Sequence, residues 1–209
     1  LAKIFRYKVL ENMDLFYDLS RRARSLWFIY SVKPPGDPPK RWQGLVNYGR
    51  LDVVSRVLLA ALYPGGQLLQ NSALLLYLDN SRDGKDGDLV VFDEACMPPR
   101  AYYEHEVAPV LLSALRGKAC ARAESLSLIF VVRRLKRLGY RVLALREGAR
   151  RIRRSDVDEG VVFLLGSYYD VPEKALSEAD ISVSIGPCSY LASHVAAFVN
   201  ALRLGVLAP

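Results

Sequence analysis

Val-Val-Phe-Leu-Leu-Gly (Val161–Gly166), followed at Ile181–Pro187 by Ile-Ser-Val-Ser-Ile-Gly-Pro and then by an apolar run from Tyr190, decides how this chain is read. Two apolar strands each end in glycine, and a helix begins directly after the second. In a parallel α/β sheet, ligands settle at the carboxyl ends of strands, where loops vary and helix N-termini leave N–H groups unpaired. A ligand site is therefore expected where these two strand ends meet the helix start.

Working outward, Leu191, Val195, Phe198, Val199 and Leu202 recur at helical spacing, so Tyr190–Leu204 is predicted to be a closing helix packed on the sheet or on a partner. His194 falls one turn after Tyr190 on this helix and faces the same way. A lone histidine there is a packed core residue or a ligand or substrate contact. Between the two glycine-ended strands, Val171–Ala179 reads as a short helix with Pro172 near its start. Upstream, Arg141–Leu145 reads as a strand, Arg133–Leu138 as helix, and Ser127–Val132 as a strand or a helix start.

Nearer the N-terminus, LWFIYSV (Leu26–Val32) is β-branched and aromatic, and KPPGDPPK (Lys33–Lys40) follows as a stiff extended loop. Val54, Leu58, Leu59 and Leu62 give a helix from Leu51 that Pro64-Gly65-Gly66 stops, with Arg50, Asp52 and Arg56 at its first turns. Ala73–Leu78 and Leu89–Phe92 are short strands around DNSRDGKDG (Asp79–Gly87). That loop half imitates a calcium site, with Asp79, Ser81, Asp83 and Gly84 at the first, third, fifth and sixth places. The twelfth place is Val90, where a glutamate is required, so a solvated turn is expected. Glu104–Leu115 is predicted helical, with Pro109 tolerated only in the first turn. Glu104, His105 and Glu106 lack a second histidine at helical spacing and read as a polar helix start. Strands alternating with helices predict an α/β fold, mostly parallel with helices on both faces.

A chain of 209 residues, 51% hydrophobic, builds one sizeable core, expected over residues 25–209, after an amphipathic helical extension over 1–24. The first residue is Leu1, an opening expected of a chain that continues a longer one or has lost its initiator. No continuous apolar segment suits a signal peptide or a bilayer span, so a cytoplasmic protein without membrane or metal partners is expected. Cys96, Cys120 and Cys188 are odd in number, widely spaced and without a CxxC pair, which argues against a disulfide framework and a zinc site. Cys188 is expected to be small and buried.

The net charge of +7 points to an anionic partner, nucleic acid first and a membrane surface second. Cations concentrate between Arg133 and Arg154, including Arg146, Arg150, Arg151, Arg153 and Arg154, with only Glu147 interrupting. Arginine's planar fork suits phosphate. Neither GxGxxG nor GxxxxGK[ST] occurs, which sets aside the commonest dinucleotide and nucleotide loops.

NYGRLDVVSRVLLAAL from Asn47, MPP from Met97, LREG from Leu145, VVFLLGSYYDVPEKA from Val161 and ISVSIGPCSYLASHVAAFVNAL from Ile181 together resemble the SPOUT methyltransferases. Within them, the chain is most similar to the archaeal tRNA pseudouridine N1-methyltransferases. It differs from that family in YYEHEVAP (Tyr102–Pro109) and in Ser31-Val32 at the end of the first strand. The resemblance implies a C-terminal trefoil knot, S-adenosylmethionine as cofactor and a homodimer. The matching cofactor loops are Leu164, Leu165 and Gly166, then Ser184, Ile185, Gly186 and Pro187, then Tyr190, Leu191 and Ala192. It implies tRNA as substrate and ribosomal RNA as the second choice; an RNA-binding protein without turnover is the non-enzyme alternative. Asp52 is the candidate proton acceptor for N1 and Arg50 the candidate anion stabiliser. Arg56 and Arg146 join the four arginines of residues 150–154 as candidate RNA contacts.

Overall fold

The computed structural model describes residues 14–207. Residues 1–13, on which half of the expected N-terminal extension falls, lie outside the described residues. Its second half is helical over residues 14–22 (α1) and buries Phe16 and Leu19 against the sheet.

Seven strands form one sheet: β1 (Ser25–Val32), β2 (Ser72–Asp79), β3 (Gly87–Phe92), β4 (Ala121–Leu126), β5 (Arg141–Arg151), β6 (Val161–Gly166) and β7 (Ile181–Ser184). Their spatial order is β4-β3-β2-β1-β6-β5-β7. The β2–β1–β6–β5–β7 part is parallel, while β3 and β4 add on antiparallel at one edge. β1 is the innermost strand and all eight of its residues are buried, as expected of a parallel strand covered on both faces. Trp27 and Ile29 point to one face, where α2 (Leu51–Leu62), α3 (Glu104–Leu115) and α6 (Ala192–Arg203) pack. Leu26, Phe28 and Tyr30 point to the other, under α1, α4 (Leu128–Arg137) and the single turn α5 (Glu173–Leu176). The expected mostly parallel α/β sandwich is thus observed.

α6 is fixed across α2 by more than apolar contact. The buried Asn200 side-chain amide donates to the carbonyls of Ala60 and Ala61 at 2.8 and 2.9 Å, satisfying groups at the end of α2 that have no partner within their own helix.

Several expectations need correction. Cys96 and Cys120 form a disulfide, because β3 and β4 are antiparallel neighbours and bring the end of one beside the start of the other. Cys188 is free and exposed. β4 was not anticipated: ARAESL is an edge strand in which only Ala123 and Leu126 are buried, so it lacks an apolar signature. Pro109 lies in the second turn of α3, where it removes one helical N–H. The start of that helix is closed instead by Glu106, whose carboxylate accepts from the Tyr102 and Tyr103 N–H groups at 2.7 and 2.8 Å. These bonds hold the Glu106 carboxyl below its usual range. Ser127 settles the ambiguous stretch as a helix start, its hydroxyl accepting from Phe130 N–H.

The loop after β2 is exposed at residues 80–83, yet its first residue is not solvated. Asp79 is fully buried and accepts from the Tyr30 hydroxyl (2.8 Å), the Ser81 hydroxyl (2.8 Å) and the N–H groups of Ser81, Arg82 and Gly84 (2.9, 3.0 and 2.7 Å). Both carboxylate oxygens thus serve the loop itself. Burial, then the bond to Asp79, pushes the Tyr30 phenol well above its usual range. Asp79→Asn turns a donor towards these donors, and is expected to lower stability by about 3 kcal/mol. A shift of the denaturation midpoint at unchanged slope checks this.

Candidate functional site

The strand ends of β5, β6 and β7 enclose a cavity of about 560 Å³, within the range of small-molecule sites. Its construction begins with a break in β5. Leu143, Ala144 and Leu145 pair with Ile181, Ser182 and Val183; pairing then lapses and resumes at Arg150 with Val183 and Arg151 with Ser184. The looped-out residues between turn at Gly148, whose φ of 72° suits glycine. Leu145, Arg146 and Glu147 thereby become one wall. The loop after β6 forms the second wall, and the segment from β7 into α6 the third.

Of the predicted cofactor residues, Leu165, Gly166, Ser184, Ile185, Tyr190, Leu191 and Ala192 line this cavity. Leu164 does not. Strand alternation turns it to the opposite face, where it packs with the core beneath α4. Gly186 and Pro187 line an adjoining groove with Ala149, Arg151 and Phe198, and Ser184, Ile185 and Tyr190 border both spaces.

The chain's own packing bears on both glycines but strictly requires only the first. A Cβ on Gly166 would sit 2.1 Å from the Tyr169 carbonyl oxygen, so the 166–170 turn closes only over glycine. A Cβ on Gly186 would meet the Tyr190 hydroxyl at 2.3 Å, the movable end of a side chain. Ser184 secures that second turn, accepting from Gly186 N–H at 3.2 Å while its hydroxyl donates to the Gly186 carbonyl at 2.5 Å.

Tyr168, Tyr169 and Tyr190 stand at the rim, and Tyr168 is 59% exposed. The Arg50 guanidinium lies over the Tyr168 ring, 5.2 Å from its centroid, a cation–π contact. Arg50 precedes α2 in left-handed conformation, φ 57° and ψ 33°, a strained backbone for a residue other than glycine. Asp52 holds it there, accepting from Arg50 Nε at 3.0 Å and Nη2 at 3.3 Å, and also from Arg56. Burial alone would raise the Asp52 carboxyl, yet the bonds and charges of Arg50 and Arg56 outweigh it and hold the group below the usual range. Asp52 does not line the cavity; it reaches the rim only through Arg50. Cavity-lining carboxylates that the sequence reading missed are Glu147, Asp170 and Glu173. Of these, Glu173 pairs with Arg146 at 3.1 Å. The available signal was the Tyr168-Tyr169-Asp170 run, polar and aromatic directly after a glycine-ended strand.

Arg56 and His194 belong elsewhere. They line a groove of about 930 Å³ between α2 and α6, with Tyr102, Leu204 and Val206. His194 does not share a face with Tyr190, because α6 begins at Ala192 and Tyr190 precedes the helix.

Carboxylates just beyond the basic stretch and from later elements neutralise much of it. Arg150 makes a two-point ion pair with Asp156 (2.9 and 2.7 Å), Arg133 with Glu178, and Lys136 pairs with Asp180. The Arg150 bonds, ahead of opposing burial, hold the Asp156 carboxyl below its usual range. Arg154 lies 3.8 Å from Asp158. Arg151 and Arg153 remain without an ion pair among the described residues. Also among the described residues, no group of three or more His, Cys, Asp or Glu side chains could hold a metal, and no helix is long and apolar enough to cross a membrane.

No protein-family model matches the chain, and no curated protein matches it. Solved structures do. Archaeoglobus fulgidus Nep1 bound to S-adenosylhomocysteine superposes with a TM-score of 0.57 at 20% identity, over 88% of this chain and 98% of that one. An RNA 2'-O ribose methyltransferase gives a TM-score of 0.43 at 16% identity, over 88% of this chain and 58% of that one. At such identity the likeness to Nep1 establishes a shared fold.

Proposed function

We propose that this chain is an S-adenosylmethionine-dependent RNA methyltransferase of the SPOUT class that methylates N1 of a pseudouridine in tRNA. One observation carries the reading. The three stretches that resemble SPOUT cofactor loops converge on a single cavity, in a fold shared with a protein bound to S-adenosylhomocysteine. The residues suit that ligand: Leu165, Ile185 and Leu191 offer apolar walls for an adenine, and backbone groups of residues 184–192 offer its polar edge partners. A C-terminal trefoil knot and cytoplasmic location belong to the same proposal. So does a homodimer, for which the α2–α6 groove with exposed Leu204, Val206 and Tyr102 is the proposed interface.

The cofactor, when bound, supplies an electrophilic methyl group on a sulfonium. The chain's residues must place an RNA base against the cavity mouth and take the proton from its N1. Tyr168, backed by Arg50, offers an aromatic face for the base and a guanidinium for charge developing on its ring. Asp52 is assigned the task of fixing Arg50, since its oxygens already accept from two guanidinium groups and its lowered pKa makes it a weak base. Asp170, on the same rim loop as Tyr168, is the proposed proton acceptor.

Calorimetry with S-adenosylhomocysteine is expected to show binding to the wild type and none to Gly166→Val, whose Cβ has no room beside backbone. Gly186→Val is expected to retain weakened binding, because Tyr190 can swing aside. Absence of heat from the folded wild type would refute the cofactor assignment.

In single-turnover assays, Asp170→Asn is expected to lower the methylation rate about 10²-fold or more without changing cofactor affinity. Asp52→Asn is expected to lower the rate and raise the RNA requirement. Because the folded Asp52 pKa is depressed, its charge persists as pH falls, so any acidic limb above pH ~4 belongs to another group. Mass analysis of nucleosides from pseudouridine-containing tRNA and ribosomal RNA, before and after incubation, identifies the substrate; methyl gain on ribosomal RNA alone would overturn the tRNA assignment.

A further inference from the structure

A second charged feature lies apart from the cavity. Lys40, Arg41, Arg116 and Lys118 line a pocket of about 400 Å³ together with Trp42 and Pro109. No carboxylate lines it, and none of its four cations has an ion pair among the described residues. This contrasts with Arg133, Arg146 and Arg150, each matched by a carboxylate. The four like charges repel one another, and an anion in the pocket relieves that repulsion.

The pocket is built from two segments held in place. The proline-rich segment packs against residues 44–49: a Cβ on Gly44 would lie 2.6 Å from the Pro39 side chain, and one on Gly49 would lie 2.5 Å from that of Pro34. The Tyr48 hydroxyl donates to the Gly36 carbonyl at 2.8 Å, closing the same loop. The second segment, residues 116–120, is tied at Cys120 by the disulfide to Cys96, and Arg116 donates to the Pro39 carbonyl across the gap. The cations therefore project from a preformed frame.

We propose that this pocket grips the phosphate–ribose backbone of the substrate RNA, outside the reaction cavity. This rests on the RNA methyltransferase reading and extends its footprint. Cations of both kinds around one hollow suit backbone phosphates, arginine by paired hydrogen bonds and lysine as a point charge. The half-buried Trp42 adds a surface on which a ribose or base can pack. A short run of chain links Trp42–Val46 to Arg50, whose guanidinium lies over Tyr168 at the cavity rim, so the pocket and the rim are joined through one segment.

The test pairs Lys40→Gln with Lys118→Gln, both exposed, and leaves Arg116 to hold the loop. Binding of an unmodified tRNA transcript is measured across a salt series, with S-adenosylhomocysteine affinity as the control for folding. Loss of two phosphate contacts is expected to reduce the slope of log K against log salt by about 1.5, with cofactor affinity unchanged. The chain has two tryptophans and Trp27 is fully buried, so acrylamide quenching reports Trp42; RNA is expected to protect it. An unchanged slope, or an unprotected Trp42 in the RNA complex, overturns the pocket assignment while leaving the methyltransferase reading intact. A wild type that binds S-adenosylhomocysteine but retains no RNA at low salt removes the RNA reading and this inference together.

Discussion

The cavity exists because β5 pairs with β7, stops, and pairs again. Had the strand run on without a break, residues 146–149 would alternate across the sheet and occupy its edge. Instead the ladder holds Leu145 on one side and Arg150 on the other, and the chain between them is pushed out past the strand ends. Both ends of the excursion are fixed by backbone hydrogen bonds, so Arg146 and Glu147 are presented by sheet and not by a free loop. Interruptions of this kind re-aim side chains without changing the strand's place in the fold. The Gly166 turn closes the facing wall by the same economy, bringing the Tyr169 carbonyl to a distance that only glycine tolerates.

What the sequence revealed depended on whether neighbours along the chain shared one environment. β1, β2, β3, β6 and α2 are continuous apolar or helical-period runs, and each was readable because its burial repeats from residue to residue. β4 and the second half of β5 were not, since edge exposure and the break replace apolar residues by charged ones. The cofactor loops could be located from glycine-ended strands, but not the direction of each side chain. Leu164 and Leu165 are adjacent in sequence and face opposite layers, a parity that strand pairing decides. Likewise the Cys96–Cys120 bond depends on β3 lying beside β4, which spacing alone does not disclose.

Charge was the least legible property. A run of arginines with one glutamate reads as a uniform basic surface, yet Asp156, Glu173 and Glu178 arrive from other elements and occupy several of the guanidinium groups. Pairs with such exposed arginines contribute little to stability, commonly under about 1 kcal/mol, but they set the direction of each fork. The net charge of +7 is consequently carried outward by cations left without partners, which are spread over distant parts of the chain. Linear density of basic residues and strength of surface field are different quantities, and only the second acts on a polyanion.

The junction before α2 shows how such a pairing serves a site. A residue other than glycine in left-handed conformation costs on the order of 1 kcal/mol or more, and nothing in the helix itself demands it at Arg50. The conformation does let one guanidinium reach two places: its hydrogen bonds go back to the half-turn-distant Asp52 and its face goes to Tyr168 on the β6 loop. Asp52 is in turn held by Arg56 from the next turn, so its carboxylate is fixed by two guanidinium groups. The result couples the start of α2 to the rim of the cavity through a single side chain. Relaxing Arg50 to ordinary backbone would redirect that side chain and separate the two elements, which is why the strain is best understood as belonging to the site and not to the helix.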